Sequence, residues 1–200
     1  RLDGVAGDDN TGNSVSSAGD INGDGYDDLI IGAKGTDNDS GSSYVVFGTG
    51  NVFAATVDLS TLDGTNGFRL DGEQGFDQSG WSVSSAGDVN GDGYDDLIIG
   101  APYGDNYSGS SYIVFGTGSG FAATVDLSTL DGTNGFRLDG VAEDDKSGIS
   151  VSSAGDVNGD GYDDLIIGAY GADINGGSSG SSYVVFGTGS GFASTVNLST

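Results

Sequence analysis

A 68-residue unit recurs three times in this chain and constrains its fold more than any other feature. The stretches 14–33, 82–101 and 150–169 differ at one place only, where the first copy has isoleucine and the others valine. A fixed period of this length is typical of repeat proteins, in which stacked units share a core that one unit cannot build alone. The near-identity of the copies indicates either recent duplication or deliberate idealisation, and the sequence leaves both open.

Short apolar runs inside each unit predict β-strands. In the second unit these runs lie at 81–86, 96–101, 110–115 and 135–140, and the run at 96–101 indicates a strand buried on both faces. The 40 glycines recur at fixed places between the runs, which is typical of turns. Since no window shows helical periodicity, the sequence predicts an all-β chain of three four-stranded antiparallel propeller blades.

The repeat also sets the expected organisation of the chain. We expect a single propeller or part-propeller domain over residues 1–200, with repeats at approximately 5–72, 73–140 and 141–200. Residues 1–4 repeat the sequence of the predicted fourth strand without the rest of a unit, so we expect them to close another blade. The chain opens within a repeat and has no initiator Met, which favours excision from a longer protein.

Each unit carries a nine-residue loop of oxygen ligands between its first two predicted strands. Side-chain oxygens fall at positions 1, 3, 5 and 9, position 7 offers a backbone carbonyl, and glycine at position 6 permits a sharp turn. The predicted metal ligands are Asp20, Asn22, Asp24, Tyr26, Asp28, Asp88, Asn90, Asp92, Tyr94, Asp96, Asp156, Asn158, Asp160, Tyr162 and Asp164. This pattern favours Ca²⁺, about three ions per chain, over Mg²⁺ or Zn²⁺.

The loop departs from an EF-hand at position 12, where Ile31, Ile99 or Ile167 replaces the bidentate glutamate. We therefore expect moderate affinity, roughly 10⁻⁵ to 10⁻³ M, which suits the millimolar Ca²⁺ found outside cells. The alternative is that the Asn-Gly-Asp-Gly segment is only a polar hairpin turn. The carboxylates at position 8, namely Asp27, Asp95 and Asp163, are expected to point into solvent.

Composition argues against several functions. With 30 acidic and 5 basic residues, the net charge of -25 leaves no surface suited to nucleic acid or to anionic membranes. No apolar run approaches the roughly 20 residues that membrane insertion requires. The chain has no histidine or cysteine, and its serines have no evident activating base, so we expect no enzymatic activity.

Two further short motifs complete a resemblance to a known family. The units resemble FG-GAP repeats, the blades of integrin α-subunit-type β-propellers. The FG elements are Phe47-Gly48, Phe115-Gly116 and Phe186-Gly187, and the GAP element is Gly100-Ala101-Pro102, replaced by Gly32-Ala33-Lys34 and Gly168-Ala169-Tyr170 in the other units. The resemblance implies Ca²⁺ loops on one face of a propeller, an extracellular or cell-surface location, and an adhesion or scaffold role without catalysis.

Two questions about partners follow. A competing interpretation is a domain that recognises a glycan or a protein, which an exposed aromatic cluster around Trp81, Tyr103, Tyr107 and Tyr170 would favour.

Closed propellers typically have about 4–8 blades, so three blades leave two open ends. We expect a homodimer that closes a six-bladed ring, with each N-terminal segment completing the third blade of the other copy. A piece of a larger propeller and an open monomer remain the alternatives.

Overall fold

The computed structural model describes residues 1–174, 177 and 179–199. Its strands, in chain order, are β1 (Leu2–Asp3), β2 (Ser14–Gly19), β3 (Asp28–Ala33), β4 (Ser42–Val46), β5 (Val57–Asp58), β6 (Gly67–Asp71), β7 (Ser82–Gly87), β8 (Asp96–Ala101), β9 (Ser110–Val114), β10 (Thr124–Asp126), β11 (Gly135–Asp139), β12 (Ser150–Gly155), β13 (Asp164–Ala169), β14 (Ser181–Val185) and β15 (Thr195–Asn197). The longer loop of the third repeat, at 173–180, lies partly outside the described residues.

The helical segments are short. They are α1 (Thr36–Asp39), α2 (Gly104–Tyr107) and two 3₁₀ turns, Leu59–Thr61 and Leu127–Thr129. In α1, Asp37 and Asn38 have φ angles of 49° and 58°, so this segment is a tight left-handed turn rather than a regular helix. No helix in the described part of the chain has the length and hydrophobicity that a membrane span requires.

The strands form three blades. In the first blade β2, β3, β4 and β6 pair antiparallel in that order, and β7, β8, β9 and β11 repeat this order in the second. The described residues of the third blade contribute β12, β13 and β14. The first strands β2, β7 and β12 lie beside one another. The predicted all-β fold of antiparallel blades is therefore confirmed.

The connection between the third and fourth strands of each repeat makes a cross-blade contact that the sequence did not predict. It reaches back to the preceding blade, where β10 pairs in parallel with β6 of the first blade, and β15 with β11 of the second. The short strand β5 pairs with β1 in the same way. The two complete blades thereby gain a fifth, parallel strand at the edge, and each connection ties neighbouring blades together.

The core lies between the blades. Ile30 and Val45 of the first blade pack in one cluster with Val83 and Leu97 of the second. An equivalent cluster joins the second and third blades. Since one blade contacts neighbours on both sides, β8 is buried at every position, as its continuous apolar sequence predicted. Burial between stacked units explains how a chain of modest hydrophobicity forms a core.

Candidate functional site

The three predicted ligand loops are hairpin turns between the first and second strands of their blades. Each turn begins beyond a β-bulge, which lies between Ser17 and Gly19 in the first blade. Glycine at loop position 6 has a φ angle of 89° at Gly25, 90° at Gly93 and 93° at Gly161. Residues other than glycine rarely adopt such backbone φ angles, so the glycine at position 6 permits the sharp turn expected from the sequence.

The side-chain oxygens at positions 1, 3 and 5 come together around the backbone of the loop. The N–H of Asp24 donates both to Asp20 Oδ1, at 3.0 Å, and to Asn22 Oδ1, at 2.8 Å. The N–H of Gly25 donates to Asp20 Oδ2 at 2.9 Å, and that of Tyr26 donates to Asp24 Oδ1 at 3.0 Å. The other two loops make the same four bonds. The structure thus brings the first three predicted side-chain ligands of every loop together.

The position-9 aspartates lie beneath the loop and anchor it. The buried carboxylate of Asp28 accepts the N–H of Ile21 at 3.1 Å and the N–H of Gly48 at 2.7 Å. Burial raises the pKa of Asp28 to about 6 and the pKa of Asp96 to about 8, against opposing hydrogen bonds from backbone N–H groups. These carboxylates connect the ligand loop to the FG element at the end of the third strand.

The donor chemistry of the loops fits a hard cation. Within the described residues, no three His, Cys, Asp or Glu side chains form a metal-binding group. The loops instead combine carboxylates with an amide oxygen and a backbone carbonyl, which are the donors that Ca²⁺ accepts. A carboxylate oxygen that accepts one N–H keeps a second lone pair for a cation. The side chains at positions 1 and 5 can therefore hold the turn and an ion together.

The position-8 aspartates are not all solvated, and the expectation for Asp95 and Asp163 was wrong. Asp95 accepts the N–H of Asp20 at 2.8 Å, and Asp163 accepts the N–H of Asp88 at 2.9 Å. Each bond joins a loop to the loop of the preceding blade. The partners lie 75 residues apart, so only the stacking of blades brings them together. The recurrence of aspartate at position 8 in every copy was the sequence signal that could have indicated this role.

The aromatic residues singled out in the sequence form a second cluster at the other end of the strands. The rings of Trp81 and Tyr103 meet edge to face at 5.2 Å, and those of Tyr103 and Tyr107 at 5.8 Å. Lys34 lies 3.6 Å over the Trp81 ring, and Lys146 lies 5.5 Å from the ring of Tyr170. The sequence analysis named these aromatic residues as the cluster that would favour ligand recognition, but it named neither lysine.

Comparison with known proteins agrees with the division of the chain into three blades. The FG-GAP repeat family matches residues 11–46, 79–114 and 147–185, one segment for each blade. The chain is 36% identical to integrin alpha-V of Gallus gallus over 166 residues, which cover 81% of the chain and 15% of the relative. It is 32% identical to integrin alpha-5 of Xenopus laevis over 157 residues, covering 78% of the chain and 14% of the relative.

A third relative is integrin alpha-PS5 of Drosophila melanogaster, 33% identical over 160 residues, with 78% of the chain and 14% of the relative covered. The chain thus spans only about one seventh of the length of these relatives. Each family match contains a ligand loop, the strands on either side of it and the strand that follows. With a family match over more than half of its residues, the chain belongs to the FG-GAP repeat family of integrin alpha-type propellers.

Proposed function

We propose that residues 1–200 form one calcium-stabilised, extracellular part-propeller that serves as a scaffold or adhesion module. The observation that carries this proposal is the gathering of Asp20, Asn22 and Asp24 oxygens in one turn, repeated in all three blades. In each blade the backbone carbonyl at position 7 and the carboxylate at position 9 complete the proposed ligand set. The family membership supports this assignment.

Calcium would act on stability through charge and through the order of the loop. The chain has a net charge of -25, and repulsion on this scale opposes a compact state. A cation that binds the folded loops and not the unfolded chain shifts the equilibrium toward folding. Because the ligand loops lie beside one another across the blades, bound ions would also reduce repulsion between neighbouring loops. The proposal assigns no catalytic role to any residue.

Calorimetric titration of the calcium-free chain with Ca²⁺ tests the metal assignment. We expect about three sites per chain, with affinities of roughly 10⁻⁵ to 10⁻³ M. The variant Asp20→Asn should lose or strongly weaken one site, since an amide replaces a charged ligand. The control Asp63→Asn removes the same charge from an exposed turn outside the loops and should keep three sites. Equal titrations for both variants would contradict the assignment.

A second candidate function is recognition of a glycan or protein by the aromatic cluster. Its support is the continuous contact of Trp81, Tyr103 and Tyr107 on the side of the blades opposite the ligand loops. Tyr107 is half-exposed and the other two rings are partly buried, and partly exposed aromatic rings suit sugar or side-chain packing. Binding to a glycan array that Trp81→Ala abolishes, while Val52→Ala leaves it unchanged, would favour this function. Binding that survives Trp81→Ala would rule out this cluster as its site.

A further inference from the structure

The second blade holds a carboxylate between a tyrosine and an arginine. Tyr112 of β9 and Arg137 of β11 are direct cross-strand partners. The carboxylate of Glu73, which lies just beyond the end of β6, accepts the hydroxyl of Tyr112 at 3.1 Å and an N–H of Arg137 Nη1 at 2.8 Å. Because Tyr112 is buried, Glu73 satisfies a hydroxyl that water does not reach freely.

The first blade has the same tyrosine and arginine without the glutamate. Tyr44 of β4 and Arg69 of β6 are cross-strand partners in the equivalent register. The position that corresponds to Glu73 in this repeat is Val5, whose side chain has no hydrogen-bonding atom. A single difference between two repeats therefore removes the carboxylate and keeps the two groups that bind it.

In the first blade these two groups are left without a carboxylate between them. Tyr44 is 1% exposed, and its hydroxyl has no hydrogen-bond partner of good geometry, although the Arg69 guanidinium lies beside it. Asp71 and Asp37 both contact Nη2 of Arg69, at 2.6 Å and 3.9 Å. Within the described residues, Nη1 of Arg69 contacts no carboxylate. A buried hydroxyl without a partner costs free energy, which an acceptor placed beside it would recover.

An open cleft of about 240 Å³ leads to this tyrosine and arginine. Its lining residues include Val5, Tyr44, Leu59, Leu62 and Arg69. The second blade has an equivalent cleft, in which Glu73 occupies the position of Val5. Since the second blade packs against neighbours on both sides and keeps its cleft, the stacking of blades does not cover this place.

We propose that the cleft of the first blade binds a small carboxylate, in the place that the Glu73 carboxylate occupies in the second blade. The ligand accepts the hydroxyl of Tyr44 and an N–H of Arg69, and its carbon end contacts Val5. Acetate is the simplest such ligand, because it reproduces the last methylene and the carboxylate of a glutamate. Charge-assisted hydrogen bonds of this kind are roughly twice as strong as those between neutral groups. None of these residues belongs to a calcium loop, so the proposal does not depend on calcium.

The acidity of the chain does not prevent an anion from binding here. The net charge is -25, and Asp71 already pairs with Arg69. In the second blade, however, Arg137 holds two carboxylates at once, Glu73 at 2.8 Å and Asp139 at 2.7 Å. A guanidinium has five N–H donors in a planar fork, so it can serve two carboxylates. Exposed charges farther away than about 8–10 Å are largely screened at ordinary salt concentrations.

Titration with sodium acetate at pH 7, followed by NMR, tests the site. The ring signals of Tyr44 and the Nε–H signal of Arg69 should shift and reach saturation. The dissociation constant should be on the order of 10 mM, because a partly exposed ion pair contributes little in water. Sodium chloride at the same ionic strength should give no saturable shift of these signals. If acetate gave none either, the proposal would be overturned.

The variant Val5→Glu supplies the carboxylate from the chain itself. The new side chain should fill the cleft as Glu73 does in the second blade, so the saturable shifts with acetate should disappear. Val141→Glu is the matched control, since it adds the same charge at the equivalent position of the third repeat. Both valines are 42% exposed, so neither variant should lose its fold, and Val141→Glu should bind acetate within twofold of the unmodified chain. Acetate binding that persists in Val5→Glu, or that both variants lose alike, would contradict the assignment.

Discussion

At the scale of single residues, aspartate has three different roles that depend on its position in the blade. Asp20 is partly buried and Asp24 is exposed, and both order the ligand turn by accepting backbone N–H groups. Asp28 is buried and fastens this turn to the end of the third strand. Asp95 joins one turn to the turn of the preceding blade. An acidic composition therefore reflects specific structural tasks as well as a solvated surface.

Buried Asp77 gives the clearest pH prediction. Burial, together with Glu73 and Asp105, raises the pKa of Asp77 to about 6 from 3.8. As the pH rises from 3.8 to about 6, Asp77 loses its proton in the unfolded chain before it does so in the folded chain. The free energy of unfolding therefore falls over this range, and the full cost of burying the charged carboxylate is present above about pH 6. Asp77→Asn should therefore stabilise the chain at pH 7 by roughly 3 kcal/mol, since the pKa of Asp77 is raised from 3.8 to about 6 and one pKa unit equals about 1.4 kcal/mol. At pH 3.5 it should have little effect.

Urea unfolding at the two pH values measures this difference. Exposed Asp63 is the control, because its pKa shifts in the opposite direction. The hydroxyl and N–H of Thr65 donate to the Asp63 carboxylate, which lowers its pKa and favours its charged form. Asp63→Asn should give no stabilisation at pH 7. A loss of stability in Asp77→Asn at pH 7 would show that the buried carboxylate makes a favourable charged contact, contrary to this account.

The roles of these aspartates differ in how well the sequence predicts them. Asp20, Asn22 and Asp24 were predictable because their partners are backbone groups within the same turn. Asp95 was not, since its partner is the N–H of Asp20 on another blade. The anchoring role of Asp28 was hidden for a similar reason: one of its partners, Gly48, lies 20 residues away, just beyond the end of β4.

At the scale of elements, the connection from third to fourth strand fastens successive blades. Phe121, in the connection of the second repeat, stacks on Phe68 of the first blade with ring centroids 4.2 Å apart and planes inclined by 7°. Phe192 stacks in the same way on Phe136 at 4.2 Å. The strands themselves were predictable from local apolar runs. The position of the connection was not predictable, because the strand and the aromatic ring that it contacts belong to the preceding repeat.

Truncation of one stacked ring tests this function of the connection. Phe121→Ala should destabilise the chain by about 2–3 kcal/mol, toward the lower end for a core phenylalanine because its ring is only partly buried. Phe53 occupies the same place in the first repeat, is 45% exposed and makes no ring contact within the described residues. Phe53→Ala should therefore cost less than about 0.5 kcal/mol. Equal losses in thermal unfolding would show that stacking is not the cause.

At the scale of the whole molecule, repetition links fold, charge and assembly. Each blade buries its faces only against other blades, so the number of blades sets how much apolar surface stays exposed. The same repetition places the acidic turns side by side, which concentrates negative charge along one side of the stack. The period of 68 residues made this arrangement predictable. The matched hydrogen bonds between blades became visible only in three dimensions.

Every blade is proposed to hold one calcium ion in its turn, and this claim can be measured. Native mass spectrometry of the intact chain, equilibrated with Ca²⁺ and again after chelation, measures this directly. We predict three ions per chain, whether the species carries one copy or two, and their loss on chelation. A chain that is folded and carries no calcium at millimolar concentration would contradict the claim and leave the turns as purely structural hairpins.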